Sequence, residues 1–246
     1  MHCELVVPGL FSAKPEIRLP ALERLLARGR RHSEPPQRLE AWLHDAFELD
    51  EGPIPAGALS LIAANGDPGN DSWLRADPVH LRLMRDHLIV VPAEALSISR
   101  AEADAFCRSL NSHFSGAMEV HPVDPRRWCA RGDKVFPSND HSSLEEAGRE
   151  VTLGDPVLNE IQMLLHAHPV NEAREARSEP PVNSLWLWGA GRARKASSRW
   201  HSVLANEPIA MGLAMLARTR YRSLPASAEP WLESAPEEGR DRKSVV

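Results

Sequence analysis

The chain has 246 residues, 42% of them hydrophobic and 26% charged, with a formal net charge of −5. That composition is typical of a folded globular chain with room for one sizeable or two modest domains. The acidic balance argues against broad nucleic-acid binding, which needs a basic footprint, and no apolar run approaches the roughly 20 residues that span a bilayer.

The N-terminus, MHCELVVPGLF, lacks the basic region and small-residue cleavage site of a secretory leader. Its segment 4–8, ELVVP, reads instead as a short buried strand stopped by Pro8-Gly9. A helix is predicted over Pro20–Arg31, with Pro20 in its first turn and Leu22, Leu25 and Leu26 as its apolar stripe. A second helix is predicted over Gln37–Phe47, and Leu59–Ala63 is expected as another strand. GDPGNDSW (66–73) is turn chemistry. A strand then runs from Trp73 to Leu83, and 86–91 returns as its neighbour.

Ser99 followed by Glu102 has the spacing of a capping box, which predicts a helix running to about His113. Residues 114–150 carry short strands and loops. Asp155-Pro156 starts the next helix, with Val157, Ile161, Leu164, Leu165 and then His168 on its stripe, and Pro169 is expected to end it. Asn171 is expected to cap a short helix that carries Arg174 and Arg177 on one face. In the strand 182–188, Leu185 and Leu187 face one way and Trp186 and Trp188 the other, so it reads as an interior strand. A last helix is predicted over 208–218, and the tail RDRKSVV shows no apolar periodicity.

Among candidate sites, two guanidinium groups three residues apart, Arg174 and Arg177, have the chemistry to clamp a phosphate or carboxylate. Asn183 stands before a buried strand, where its amide can fix either a loop or a ligand. The turn Gly189-Ala190-Gly191-Arg192 offers backbone N–H groups and one cation to an anion. His166 and His168 lie about 200° apart around a helix, which disfavours a shared metal. Asp77, His80 and Asp86 have no partner fixed by spacing and read as loop and strand-edge polar groups. Cys3, Cys107 and Cys129 lack C-x-x-C spacing, so neither a disulfide framework nor a zinc site is expected, and a cytoplasmic location is.

The block LNEIQMLLHAHPVNEAREARSEPPVNSLWLWGAGR (158–192) closely resembles regulatory proteins of the RpfE type, which are also described as cofactor-independent phosphoglycerate mutases. LPALERLLARGR, ADPVHLRLMRDHL and SRAEADAFCRSLNSHF resemble the same group, and the likeness covers about residues 3–235. More distantly the chain resembles the archaeal-type phosphoglycerate mutases of the alkaline phosphatase superfamily. The resemblance implies an α/β fold: a partial parallel sheet of the alkaline-phosphatase/phosphoglycerate-mutase kind with an inserted α+β substrate-type domain. The expected division is 1–72, then the insert 73–195, then a return to the first domain over 196–239, with 240–246 outside the native fold and the chain cut short.

In that superfamily the first Asp-Gly turn holds a catalytic metal through carboxylate oxygen. Pro8-Gly9 stands here instead, and the later Asp/His pairs and the nucleophilic Ser or Thr have no counterpart. The expectation is therefore a regulatory relative with no catalytic residue, no metal and no cofactor. It would bind a phosphorylated or acidic small molecule, or a protein partner, through His168, Asn171, Arg174, Arg177, Asn183 and Arg192, with no nucleic-acid or membrane partner. The alternative is an active metal-dependent mutase or phosphatase whose remaining ligands lie beyond the C-terminus.

Overall fold

The computed structural model describes residues 2–7, 23, 27–28, 37–132, 138–151, 154–225 and 243–245. Its main layer is a six-stranded sheet organised around one long strand, β2 (Trp73–Leu83). The alternation of this strand buries both faces, because helices cover each of them. β3 (Leu88–Val91) pairs with its end and β6 (Glu150–Val151) with β3. β5 (Arg127–Gly132) pairs with its start, followed by β4 (Met118–Asp124). Along its other edge lies β7 (Ser184–Gly191), with Arg75 opposite Trp188 and Val79 opposite Ser184.

Every pairing in this sheet is antiparallel. The expected parallel sheet is thus not the main layer: besides two isolated parallel bridges (Val90–Ala147 and Asn139–Trp188), parallel pairing among the described residues occurs in four strands of three residues each. These are β1 (His2–Glu4), β8 (Ser202–Leu204), β9 (Arg220–Arg222) and β10 (Lys243–Val245), in the order β1-β10-β8-β9. Continuous apolar runs such as LWLW suggest a parallel sheet because both faces must be covered. Here two helical layers on an antiparallel sheet meet the same requirement.

On one face Leu74, Ala76, Leu185 and Leu187 pack against α3 (Arg100–His113) and α4 (Pro156–His166) through Phe106, Leu110, Ile161 and Leu165. On the other, Val79, Leu81, Trp186 and Trp188 meet α1 (Leu39–Ala46), α2 (Ala56–Ala63) and α6 (Pro208–Leu216) through Leu43, Leu59, Ile209 and Leu213. With α5 (Pro169–Ala176), six α-helices occur among the described residues. None of them is long and apolar enough to cross a membrane. Each fully buried Leu or Ile of these layers contributes about 1.5–3 kcal/mol.

The capping box is present: the Ser99 side chain accepts from the Glu102 N–H, and the Glu102 carboxylate accepts from the Ser99 N–H at 2.8 Å. Asp155 caps α4, accepting from Val157 N–H at 2.8 Å. Leu59–Ala63, expected as a strand, lies instead in helix α2. A short apolar run is compatible with either buried element, and Ala, Leu and Ser carry little of the β-branching that favours strands. β1 starts two residues earlier than expected, and Pro8-Gly9 lies outside the described residues. So does most of the helix predicted over 20–31, of which Glu23, Ala27 and Arg28 are helical. Residues 243–245, expected to lie outside the fold, pair between β1 and β8. Backbone hydrogen bonding needs no apolar periodicity, so the pattern gave no sign of this strand.

Candidate functional site

The block 155–192 places most of the residues singled out above, and it separates them. α4 ends at His166, and Pro169 does not simply terminate it: that proline opens α5 from the N1 position, which suits its missing N–H. The cap of α5 is His168, not Asn171. Its Nδ1 accepts from the Val170 N–H at 3.2 Å, its Nε2 lies 2.9 Å from Ser109 Oγ, and its ring packs at a tilt against Phe106 with centroids 4.6 Å apart. Burial lowers its pKa, which favours a neutral ring with the proton on Nε2 directed at Ser109. Both nitrogens are then engaged, so His168 is a cap and a core side chain.

Asn171 is 2% exposed and sits in the first turn of α5. Its Nδ2 donates to Leu165 O and Val182 O, each at 2.7 Å, and its Oδ1 accepts from Val182 N–H at 2.9 Å. The amide thus ties the end of α4 to the entry of β7. Asn183 extends the β2–β7 ladder by side chain: Oδ1 accepts from Leu81 N–H at 2.7 Å and Nδ2 donates to Leu81 O at 3.0 Å. Of its two open readings, fixing the backbone is the one the geometry meets.

Arg174 is fully buried. Its Nε donates to Pro180 O at 2.9 Å, Nη2 to Leu96 O, and Nη1 to Glu102 Oε1 at 3.2 Å. Arg177 is half-exposed and donates to the same Glu102 oxygen at 3.0 Å and to Glu179 at 2.8 Å. The two guanidinium groups do clamp a carboxylate, and it belongs to Glu102 of α3. Burial would raise that carboxyl, but hydrogen bonds from Ser99 and Arg174 outweigh it and hold the pKa below its usual value. Arg174 and Arg177 are therefore interior and surface ties between α3 and α5.

The end of β7 differs. Gly189 turns there with φ +59°, and a side chain at that position would meet Ala56 Cβ at 2.4 Å. Two cavities, each of about 680 Å³, flank this turn. The first lies between α1, the loop 51–54, residues 138–140 and Trp188–Ala190. In it Arg38 is already bound to Glu145 at 3.1 Å and to Asp140 O at 2.7 Å, and burial raises the Glu40 carboxyl. The second lies between the end of α3, β4, β5 and Arg192. There Arg131 donates to Glu119 at 2.7 Å and to Asp71, and its guanidinium lies 5.1 Å from the Trp73 ring centre. Arg192 is exposed at this cavity, with no hydrogen-bond or ion-pair partner among the described residues.

No protein-family model matches the chain, and no curated protein matches it. Among solved structures, similarity is found to the cofactor-independent phosphoglycerate mutase of Thermoplasma acidophilum DSM 1728, at 19% identity and a TM-score of 0.40. The match covers 78% of this chain and 58% of that one. The PH0037 protein of Pyrococcus horikoshii is similar at 14% identity and a TM-score of 0.42, over 77% of this chain and 50% of that one. The chain thus spans between half and three-fifths of these neighbours.

A buried polar centre lies in the same region and escaped the sequence reading. Arg75 donates to Asp77 Oδ1 from Nε at 3.0 Å and from Nη2 at 2.5 Å, and to Ser60 Oγ at 3.2 Å. The Trp188 indole N–H donates to Asp77 Oδ2 at 2.7 Å. Asp77 is thus an interior carboxylate, not a strand-edge group; burial raises its pKa against the pull of Arg75 and Trp188. Glu207, partly buried and likewise raised, caps α6 by accepting from Ala210 N–H at 3.1 Å. Its signal was the i, i+2 spacing of Arg75 and Asp77, which puts both on the strand face shared with Trp188 in the pairing register. Burial pushes the Cys129 thiol up to about 12 and the Cys107 thiol up as well, so neither is poised as a nucleophile. Among the described residues, no three His, Cys, Asp or Glu side chains gather in a metal-holding group.

Proposed function

We propose that this chain is a phosphoglycerate-mutase-like protein of regulatory rather than catalytic role. In this reading it binds a phosphorylated or carboxylated small molecule in the cavity edged by Arg192. The mutase-like part is motivated by the sequence resemblance of the 158–192 block, and the non-catalytic part by Pro8 at the position of the family's metal-binding carboxylate.

The observation that carries the ligand is Arg192. Arg192 is exposed at this cavity and no carboxylate among the described residues pairs with it, so its donors are available, unlike those of Arg174. Arg131 beside it is balanced by Asp71 and Glu119. That one cation faces two carboxylates, so it offers no positive charge to spare, and a compact ligand that places an acidic group on Arg192 fits better than an extended polyanion.

Titration calorimetry with 3-phosphoglycerate tests the reading. Arg192→Ala should weaken binding by about tenfold or more, the scale of one charge-assisted contact, while Arg177→Ala should leave it unchanged. Equal affinity of Arg192→Ala and the parent would sink the proposal.

A further inference from the structure

The segment that follows β7 runs without regular structure from Arg192 to Arg199, and it is fastened along the connection between α1 and α2. Its main anchor is Arg194. One guanidinium nitrogen donates to Asp50 O at 3.0 Å and to Glu51 O; the other donates to Gly52 O at 3.4 Å and to Pro53 O. Four successive carbonyls thus form a bowl around one planar cation.

The loop is built to leave that space. Gly52 has φ +112°, a conformation costly for any other residue, and a Cβ there would stand 2.9 Å from Arg194 Nη1. Further along, Ser197 N–H donates to Phe47 O at 3.0 Å and its hydroxyl to Glu48, while Arg199 pairs with Glu4 at 3.1 Å.

We propose that Arg194 is the positioning residue of the Arg192 cavity. By filling the carbonyl bowl of 50–53 it fixes the segment that presents Arg192, an inference that rests on the binding role given to Arg192 above. The physical reason is preorganisation. An untethered segment loses backbone entropy when a ligand orders it, and that loss is subtracted from the affinity. Arg194 supplies that order beforehand, and it does so from the opposite side of the turn, without touching the ligand cavity. A lysine could not replace it, since an ammonium is a compact point donor and the bowl matches a planar fork.

Chemical rescue tests this. Arg194→Ala should weaken 3-phosphoglycerate binding by about tenfold, and millimolar guanidinium should restore it by occupying the bowl. Sodium chloride at the same ionic strength should not, and Lys195→Ala should bind like the parent. Hydrogen exchange at residues 192–199 makes the same comparison without a ligand: faster in Arg194→Ala, slowed again by guanidinium. Parent-like exchange in Arg194→Ala, or a loss of order that guanidinium does not reverse, would overturn the positioning role. If Arg194→Ala binds normally while Arg192→Ala does not, the cavity stands and only its anchor falls. If Arg192→Ala binds normally, the binding role of the cavity falls first.

Discussion

Arg174 and Arg177 are the same residue three positions apart, and their surroundings give them different work. Arg174 lies at zero exposure and donates to Leu96 O, Pro180 O and Glu102; Arg177 lies half in water beside Glu102 and Glu179. Truncating the buried one leaves two carbonyls and part of a carboxylate unmatched inside the protein. Arg174→Ala should therefore cost about 3–5 kcal/mol, read as a lowered urea midpoint at unchanged slope. Arg177→Ala, screened by solvent, should leave the midpoint close to the parent's. A similar loss from both would mean that Arg174 is not the interior tie described. The spacing of the pair was legible in the sequence; its burial was not, because a polar helix face becomes interior only when α3 comes to lie against it.

At the scale of elements, start signals carry the local structure. Ser99, Asp155, His168 and Glu207 each accept from backbone N–H groups at the first turn of their helices. Three of these helices also place proline at N1 or N2. In α3 the capping box does more, since the same Glu102 carboxylate that closes it receives both arginines from α5. Ser99→Ala removes one cap bond and loosens the residue that aligns Glu102. The expected cost is about 1 kcal/mol, with faster amide exchange at Glu102 than at Leu110. Stability unchanged within error would count against the box.

The ambiguous element was α2. Its run ALSLIA can be buried as helix or strand, and apolar periodicity does not decide between them. The choice is made by the layer it joins, where Leu59 packs with Ile209 and Leu213 beneath Trp186 and Trp188. His168 and Asn171 show the same limit at finer scale. A proline after a helix reads as a stop, and only the neighbouring Val182 backbone and Ser109 hydroxyl reveal that it is also the next start.

Over the whole molecule, the antiparallel sheet lies between two helical layers, and its centre holds charge. Burial raises the Asp77 and Glu207 carboxyls above their ordinary 3.8 and 4.5. A carboxyl raised in the folded chain binds its proton more tightly there than in the unfolded chain. Its contribution is full below the ordinary value and is lost as pH rises through the raised one. Glu102 and Glu119 shift downward, so theirs is present above 4.5 and is lost as pH falls through their lowered values. Glu207→Gln keeps a cap acceptor and removes one raised titration. Its urea midpoint should therefore fall less between pH 4.5 and 7 than the parent's, and an identical decline in both would locate the proton elsewhere.

By itself the sequence determined the starts of α3, α4 and α6, the two faces of the strand 184–191 and the long strand that pairs with it. Those follow from capping chemistry and from side-chain periods of two and 3.6, which act over a few residues. Tertiary structure alone decided that the main sheet is antiparallel and that Arg174 turns inward while Arg192 meets no partner among the described residues. It also decided that Arg75 and Asp77 meet Trp188 across a strand pair 111 residues apart in sequence. Burial and partnership depend on which distant surfaces come together, and neither composition nor local spacing encodes that.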